Sequence, residues 1–137
     1  VPLGVANYTR EGSDVTVIAL AAMVNVANDA ADALAAEGIS VEVVDPRTVS
    51  PLDEESILES VASTGRVVIV DESAARCGFG HDVAALITTK AFWSLKAPIE
   101  LVTPTSVPLD TRCTPTSAQI SGLTCCPGTT PDPTASR

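Results

Sequence analysis

Short runs of β-branched residues alternate with longer amphipathic segments along the first hundred residues of the chain. Buried strands are predicted at 15–20, 39–44, 66–70 and 99–102. Helices, with apolar residues at helical spacing, are predicted at 23–37, 53–62 and 80–95. Regular strand–helix alternation is typical of parallel sheets with right-handed crossovers. The sequence therefore predicts an α/β fold, a three-layer sandwich around a mostly parallel, doubly wound sheet.

Residues that typically cap or terminate helices flank the predicted helices. Gly38 follows the first helix, where a residue free to adopt positive φ is favoured. Asp53 is a good N-cap for the second helix, and Glu54 and Glu55 in its first turn suit the helix dipole. Pro98 blocks extension of the third helix.

Composition narrows the possible core and the possible partners. Hydrophobic residues make up 45% of the 137 residues and aromatic residues only 3%, so the core must be aliphatic. A net charge of −9 argues against binding to nucleic acid or to an anionic membrane surface, since both need clustered Lys and Arg. No apolar run approaches the roughly 20 residues that span a bilayer.

The cysteines and the single histidine do not form a metal-binding pattern. Cys77 stands alone, three further cysteines follow residue 110, and no Cys-x-x-Cys occurs. Neither a disulfide framework nor a zinc site is predicted. Reduced thiols indicate a cytoplasmic protein.

The segment that joins the second predicted strand to the second predicted helix, residues 45–53, is called the joint here. With its flanking residues it reads Val43-Val44-Asp45-Pro46-Arg47-Thr48-Val49-Ser50-Pro51-Leu52-Asp53. It resembles a signature of the C-terminal domain of the beta subunit of thiamine-diphosphate-dependent 2-oxo acid dehydrogenases, Asp-Leu-Arg-Thr-(Leu/Val/Ile)-x-Pro-Leu-Asp. Pro46 replaces the usual Leu, and the other seven specified positions match.

The resemblance extends from residue 1 to about residue 108. Ala22-Met23-Val24, the run from Gly65 to Glu72, and Ala97-Pro98 also resemble segments of that family. Ala21 occupies a position where the family usually has Gly, which is acceptable for Ala only if φ is negative there. The chain opens at Val1-Pro2 in the way that a piece of a longer protein would.

By resemblance, the parent enzyme decarboxylates a 2-oxo acid on thiamine diphosphate and Mg²⁺ and passes the acyl group to a lipoyl acyltransferase core. The family holds the cofactor between the alpha subunit and the other domain of the beta subunit. The domain described here is then expected to bind no cofactor, to be inactive alone, and to contribute to beta–beta self-association and to partner docking. The sequence contains no Gly-Asp-Gly motif for a diphosphate-bound Mg²⁺, and it does not identify the oxo acid.

The resemblance also assigns roles to individual residues. Five residues, whose role is expected to be structural, hold the joint: Asp45, Arg47, Thr48, Pro51 and Asp53. Arg47 is expected to bond to Asp45 or to a neighbouring carbonyl. Lys96 and Pro98 lie where the family docks a basic domain of the acyltransferase, usually with an acid in place of Lys96. Lys96 either repels that partner or serves as a cation favoured by a helix C-terminus.

The domain is predicted to cover residues 1–109, followed by an irregular or disordered tail at 110–137 that does not resemble the family. Half of the tail residues are Ser, Thr or Pro. A reading-frame slip near residues 105–110 is one hypothesis for this change.

Three other motifs suggest weaker alternatives. Gly78-Phe79-Gly80 lacks the third glycine of a dinucleotide loop, since position 83 is Val. Asp45 and Asp71 resemble part of a phospho-receiver acidic cluster, but the first strand provides no acid. His81 with Cys77 lacks an orienting third group. The remaining rivals are a transketolase or deoxyxylulose-phosphate synthase domain, and a free-standing α/β module that binds a small ligand.

Overall fold

The computed structural model describes residues 2–74 and 76–104. Its centre is a five-stranded sheet with the strand order β1-β3-β2-β4-β5. The strands are β1 (Asn7–Arg10), β2 (Val15–Ala19), β3 (Val41–Asp45), β4 (Val67–Val70) and β5 (Glu100–Val102). The pairs β2–β3, β2–β4 and β4–β5 are parallel, whereas β1 pairs antiparallel with β3. The predicted mostly parallel sheet is confirmed.

The helices form the two outer layers of a three-layer sandwich. They are α1 (Met23–Ala36), α2 (Glu54–Thr64) and α3 (Phe79–Ala91), and a short 3₁₀ turn, η1 (Phe92–Ser94), follows α3. On one face α1 packs through Met23, Ala27 and Ala31 against Val43 and its neighbours. On the other face α2 and α3 pack on the same sheet.

The core between the sheet and helices α2 and α3 is aliphatic, as the composition requires. Ile18 and Ile69 from adjacent strands meet Ile57 from α2 and Ile87 from α3, and all four side chains are fully buried. Burial of an aliphatic side chain of this size stabilises the fold by about 1.5–3 kcal/mol relative to exposure. Alternation along β2 and β4 sends neighbouring residues into opposite cores, which accounts for their continuous β-branched sequences.

Element boundaries differ from the predicted ones where local geometry intervenes. The predicted strand at 39–44 begins two residues later, because the amide of Ile39 donates to the Leu34 carbonyl and belongs to the end of α1. Gly38 has φ +84°, as a C-terminal glycine should. The predicted helix at 80–95 is shorter, since α3 ends at Ala91 and Ala91 itself has φ −127°.

Strand β1 was not located by the sequence pattern. Its four residues, Asn7–Arg10, are half-buried or exposed, so they lack the β-branched run that marks the other strands. The only hints are the β-favouring Tyr8 and Thr9. The predicted tail at 110–137 lies outside the described residues. None of the described helices is both long and apolar enough to cross a membrane.

Candidate functional site

The turns that follow the three central parallel strands all contain a non-glycine residue in the left-handed region. Ala21 (φ +53°) follows β2, Arg47 (φ +59°) follows β3, and Cys77 (φ +60°) lies in the loop after β4. Each such residue costs about 1–2 kcal/mol relative to glycine, because Cβ crowds the following carbonyl oxygen. Backbone strain therefore gathers at the carboxyl edge of the sheet, where α/β proteins build their functional loops.

Asp45 and Arg47, both predicted in the joint, contact each other at this edge. The backbone amide of Arg47 donates to Oδ1 of Asp45 over 2.9 Å. The Nε atom of Arg47 lies 3.7 Å from Oδ2 of Asp45, and the two side chains are 35% and 18% exposed. Leu20, Ala21, Asp45 and Arg47 together line a shallow depression of about 420 Å³. The backbone hydrogen bond, rather than the long ion pair, holds the turn.

The other three joint residues hold the N-terminal segment of the chain, residues 4–8. The Thr48 hydroxyl accepts from the amide of Gly4 (3.1 Å) and donates to the carbonyl of Pro51 (2.7 Å). Gly4 has φ +75°, and a Cβ there would lie 2.9 Å from Cγ of Pro51. Oδ2 of Asp53 accepts from the amide of Ala6 over 2.8 Å. The joint therefore works as a clamp on a segment more than forty residues away in sequence.

Asp53 also begins α2, as predicted. Its Oδ1 accepts from the amide of Ser56 over 3.1 Å, and its Oδ2 accepts from the Ser56 hydroxyl over 2.8 Å. The pKa of Asp53 is lowered, chiefly by the hydrogen bond from the amide of Ala6. Burial acts to raise this pKa, and the hydrogen bonds from Ser56 lower it further. The Asp53 carboxylate thus caps α2 and also holds the N-terminal segment against the joint.

Tyr8 provides a further contact of that segment with α2. Its hydroxyl donates to the carbonyl of Ser56 over 3.0 Å. Burial raises the pKa of Tyr8, and the carboxylates of Glu42, Glu59 and Asp53 act in the same direction. The sequence does not predict this contact, because residues 4–8 carry no motif of their own.

Asp71, directly after β4, organises the next loop. Its carboxylate accepts from the amide of Ser73 (2.9 Å) and from the amide of Gly80 (2.7 Å), in the first turn of α3. Burial acts to raise the pKa of Asp71, but hydrogen bonds from Ser73 and Gly80 and the charge of His81 outweigh it, and the pKa lies below its ordinary value. Gly78 is required there, since a Cβ would lie 2.6 Å from Oγ of Ser73.

Lys96 and Pro98, the predicted docking residues, lie between η1 and β5. The ammonium of Lys96 donates to the carbonyl of Thr64 over 3.0 Å, and its stem packs on Gly65, the left-handed C-cap of α2. Pro98 is exposed. Lys96 is thus a cation at a helix C-terminus, as one of the two alternatives predicted, although the helix is α2 rather than α3. Its docking role stays a prediction.

His81 and Cys77 are both exposed, on either side of Gly78. Among residues 2–74 and 76–104, no group of three or more His, Cys, Asp or Glu side chains is arranged to hold a metal ion. A buried hydroxyl cluster, which the sequence does not predict, lies between β2 and α2. In it the Thr16 hydroxyl lies 2.8 Å from that of Thr64 and 3.0 Å from that of Ser60, and all three residues are buried.

Comparison with known proteins identifies the family. The model of the family "Transketolase, C-terminal domain" matches residues 4–124, which extend beyond the predicted domain end at residue 109. The beta subunit of the acetoin:2,6-dichlorophenolindophenol oxidoreductase of Cupriavidus necator is 45% identical over 127 residues, covering 88% of this chain and 38% of that protein. The beta subunit of the pyruvate dehydrogenase E1 component of Bacillus subtilis is 46% identical over 99 residues, covering 72% and 30%.

A solved structure agrees with the sequence relatives. A split-gene transketolase, described as an inactive beta4 tetramer, superposes with a TM-score of 0.70 and 34% identity, covering 78% of this chain and 34% of that one. The chain spans less than two fifths of the length of these relatives. The chain belongs to the transketolase C-terminal domain family, and its relatives include the beta subunits of acetoin and pyruvate dehydrogenase E1 enzymes.

Proposed function

We propose that this chain is the C-terminal assembly domain of the beta subunit of a thiamine-diphosphate-dependent 2-oxo acid dehydrogenase. The identity of 45–46% to beta subunits of acetoin and pyruvate enzymes supports this assignment. In this proposal the domain does not touch the reacting atoms. It fixes the orientation of the rest of the beta subunit.

The observation that carries the proposal is the clamp on residues 4–8. Thr48, Pro51 and Asp53, the family-signature residues, contact the backbone of Gly4 and Ala6 directly. In a beta subunit this segment arrives from the other domain, so its geometry sets the angle between the two. A signature that holds the interdomain connection is what an assembly domain requires.

Thiamine diphosphate and Mg²⁺ are proposed for the parent enzyme and not for this domain. Magnesium needs carboxylate or carbonyl oxygens free to complete an octahedral shell. The carboxylates of Asp53 and Asp71 accept backbone amide hydrogen bonds instead. These residues do not fit the metal, and the chain alone is expected to give no saturable calorimetric binding of thiamine diphosphate with Mg²⁺.

The proposed partners are a second beta subunit, the alpha subunit and the lipoyl acyltransferase core. The acetoin and pyruvate relatives are named as subunits, and the split-gene transketolase assembles as a tetramer of beta chains. Docking of the acyltransferase near Lys96 and Pro98 belongs to the same proposal. We propose a cytoplasmic location, because the spacing of the four cysteines does not suggest a disulfide framework.

The experiment is an assay of the complete enzyme. The natural beta subunit that contains this chain is co-expressed with its alpha subunit and supplied with thiamine diphosphate and Mg²⁺. Decarboxylation or cleavage of acetoin, pyruvate or a branched-chain 2-oxo acid is the expected result. Ketol transfer between sugar phosphates without any turnover of these substrates would overturn it.

A transketolase is the second candidate, because the split-gene transketolase matches at 34% identity. The same assay with an added electron acceptor separates the two, since the dehydrogenase reduces the acceptor and a transketolase does not. The assembly role of the domain is common to both.

A further inference from the structure

The face of the sheet that carries α1 is covered unevenly. Strand pairing places Val43, Val17, Val68 and Glu100 side by side in one row from β3 to β5, and all four side chains point to this face. Val43 is fully buried, Val17 and Val68 are half-buried, and Glu100 is exposed. The cover over this row therefore decreases from β3 toward β5.

The matching row on the opposite face is buried almost to the edge of the sheet. Val44, Ile18 and Ile69 are fully buried there, and Leu101 on β5 is half-buried. Two helices, α2 and α3, pack on that face. On the first face α1 packs on β3 and β2, and within residues 2–74 and 76–104 it is the only helix in the apolar cluster there.

The part of the α1 face over β4 and β5 is called the open face. It presents Val68, Glu100 and Val102, and both valines are half-buried. The strands of a parallel sheet are apolar on both sides, so a three-layer sandwich covers both faces of its sheet. The open face is therefore a docking surface within the domain.

We propose that the occupant of the open face is the chain's own continuation, residues 105–124. Strand β5 is the last described strand and lies at the edge of the sheet, so the chain leaves the sheet beside the open face. The family model matches as far as residue 124, which assigns these residues to the same domain.

The direction of the existing connections favours the same face. The connection toward the β3 side of the sheet runs through α1, whereas the two connections toward the β5 side run through α2 and α3 on the opposite face. This arrangement follows from the single handedness of crossovers in parallel sheets. A chain that turns back from β5 toward the middle of the sheet with that handedness lies on the α1 face.

The composition and charge of residues 105–124 complement the open face. Their large aliphatic side chains are Val107, Leu109, Ile120 and Leu123. Arg112 is their only basic residue, and Glu100 is the charged side chain of the open face. The ten residues from the end of β5 to Arg112 reach about 33–36 Å when fully extended, which is ample to return over β5 and β4.

Disulfide trapping tests the location, because Cys113 lies next to Arg112. A full-length chain with Cys77→Ser, Cys125→Ser and Cys126→Ser keeps Cys113 as its single thiol. A second thiol is added by Glu100→Cys on the open face or, as the control, by Thr88→Cys at an exposed position of α3 on the opposite side. The effective concentration of each pair of thiols is measured in a glutathione redox buffer, with mass spectrometry as the readout.

The proposal predicts an effective concentration at least about tenfold higher for Glu100→Cys than for Thr88→Cys. Positions 100 and 88 lie 13 and 25 residues before Cys113. A segment without a fixed place would favour position 100 only about threefold, because effective concentration falls roughly as the −3/2 power of length. A ratio of about three or less therefore overturns the proposal.

A second measurement tests the apolar contact in the otherwise unchanged chain. Ile120→Asp and Leu123→Asp should each lower the denaturant midpoint, because a charge would be placed against the apolar open face. Thr130→Asp, beyond residue 124, is the matched control and should leave the midpoint unchanged. Midpoints that are equal for all three variants and the parent chain overturn the proposal. Neither measurement depends on turnover, so this proposal and the proposed function can fail separately.

Discussion

At the residue scale, the left-handed turns account for a difference between this chain and its family. Alanine at position 21 is acceptable only with a negative φ, and the structure gives φ +53° for Ala21. The glycine that the family usually carries there would have no crowded Cβ. We expect Ala21→Gly to stabilise the fold by about 0.5–1 kcal/mol. The substitution relieves the left-handed strain, and part of that gain is lost because glycine raises the conformational entropy of the unfolded chain. Ala33→Gly, at an exposed position within α1, is the control and should lower the free energy of unfolding by about 1 kcal/mol. If chemical denaturation gives the same change in stability for both variants, strain at Ala21 is not the cause.

The contact predicted between Arg47 and Asp45 is present, but both side chains are partly exposed, so removing the Arg47 side chain should cost little stability. An expectation of about 1–3 kcal/mol for Arg47→Ala requires a buried counter-charge. The structure gives an ion pair of 3.7 Å between partly exposed side chains, and such pairs are worth about 0–1 kcal/mol. Arg47→Ala should therefore cost less than about 1 kcal/mol, and Arg47→Gly should recover that loss by relieving φ +59°. Denaturant midpoints that fall equally for both variants would show that strain at this turn is unimportant.

At the element scale, the carboxylates of Asp53 and Asp71 accept amide hydrogen bonds from the first turns of α2 and α3, and these bonds predict how the stability of the fold depends on pH. The pKa of Asp71 lies below its ordinary value of 3.8 in the folded chain, so its stabilising contribution is complete above that value and is lost as pH falls through the lower folded pKa. Asp71→Asn should flatten the fall in stability below about pH 4. The control is Asp29→Asn on the exposed surface of α1, and an unchanged acid profile for Asp71→Asn would refute the loop assignment.

The C-terminus of α2 gives a second element-scale prediction. Lys96→Asp removes the ammonium from the Thr64 carbonyl and puts a negative charge at the negative end of the helix dipole. We expect a loss of about 1 kcal/mol in unfolding free energy, together with tighter docking of a basic acyltransferase domain at low salt if the docking role holds. Lys96→Met keeps the stem on Gly65 and is the neutral control. If surface plasmon resonance shows that the parent chain, Lys96→Asp and Lys96→Met bind the acyltransferase domain with equal affinity, Lys96 has no role in docking. Its role is then limited to the C-terminus of α2.

The elements that the sequence predicted are those with a local physical signal. Ile18 and Ile69 lie in β-branched runs, and Asp53 stands three residues before a partner amide, so local spacing is sufficient to find them. Strand β1 pairs with residues more than thirty positions away, and the contacts of Gly4 and Ala6 involve residues more than forty positions away. No local pattern encodes such pairs. The end of α3 at Ala91 was missed for a different reason, because no proline or glycine follows it directly.

At the scale of the whole molecule, the clamp lies where the N-terminal segment, residues 4–8, crosses the joint. In the proposed function this contact positions the domain on its own chain. The aliphatic core beneath the sheet gives the joint a fixed base, which the proposed assembly role requires.

The most direct test of this account is the assembly state of the complete beta subunit with Asp53→Ala. Co-expressed with the alpha subunit and examined by native mass spectrometry, the variant should lose most of the assembled enzyme while retaining a folded beta chain, because both the cap of α2 and the hold on Ala6 are removed. Asp29→Ala is the matched control and should assemble normally. Full assembly and activity with Asp53→Ala would contradict the claim that the joint orients the beta subunit.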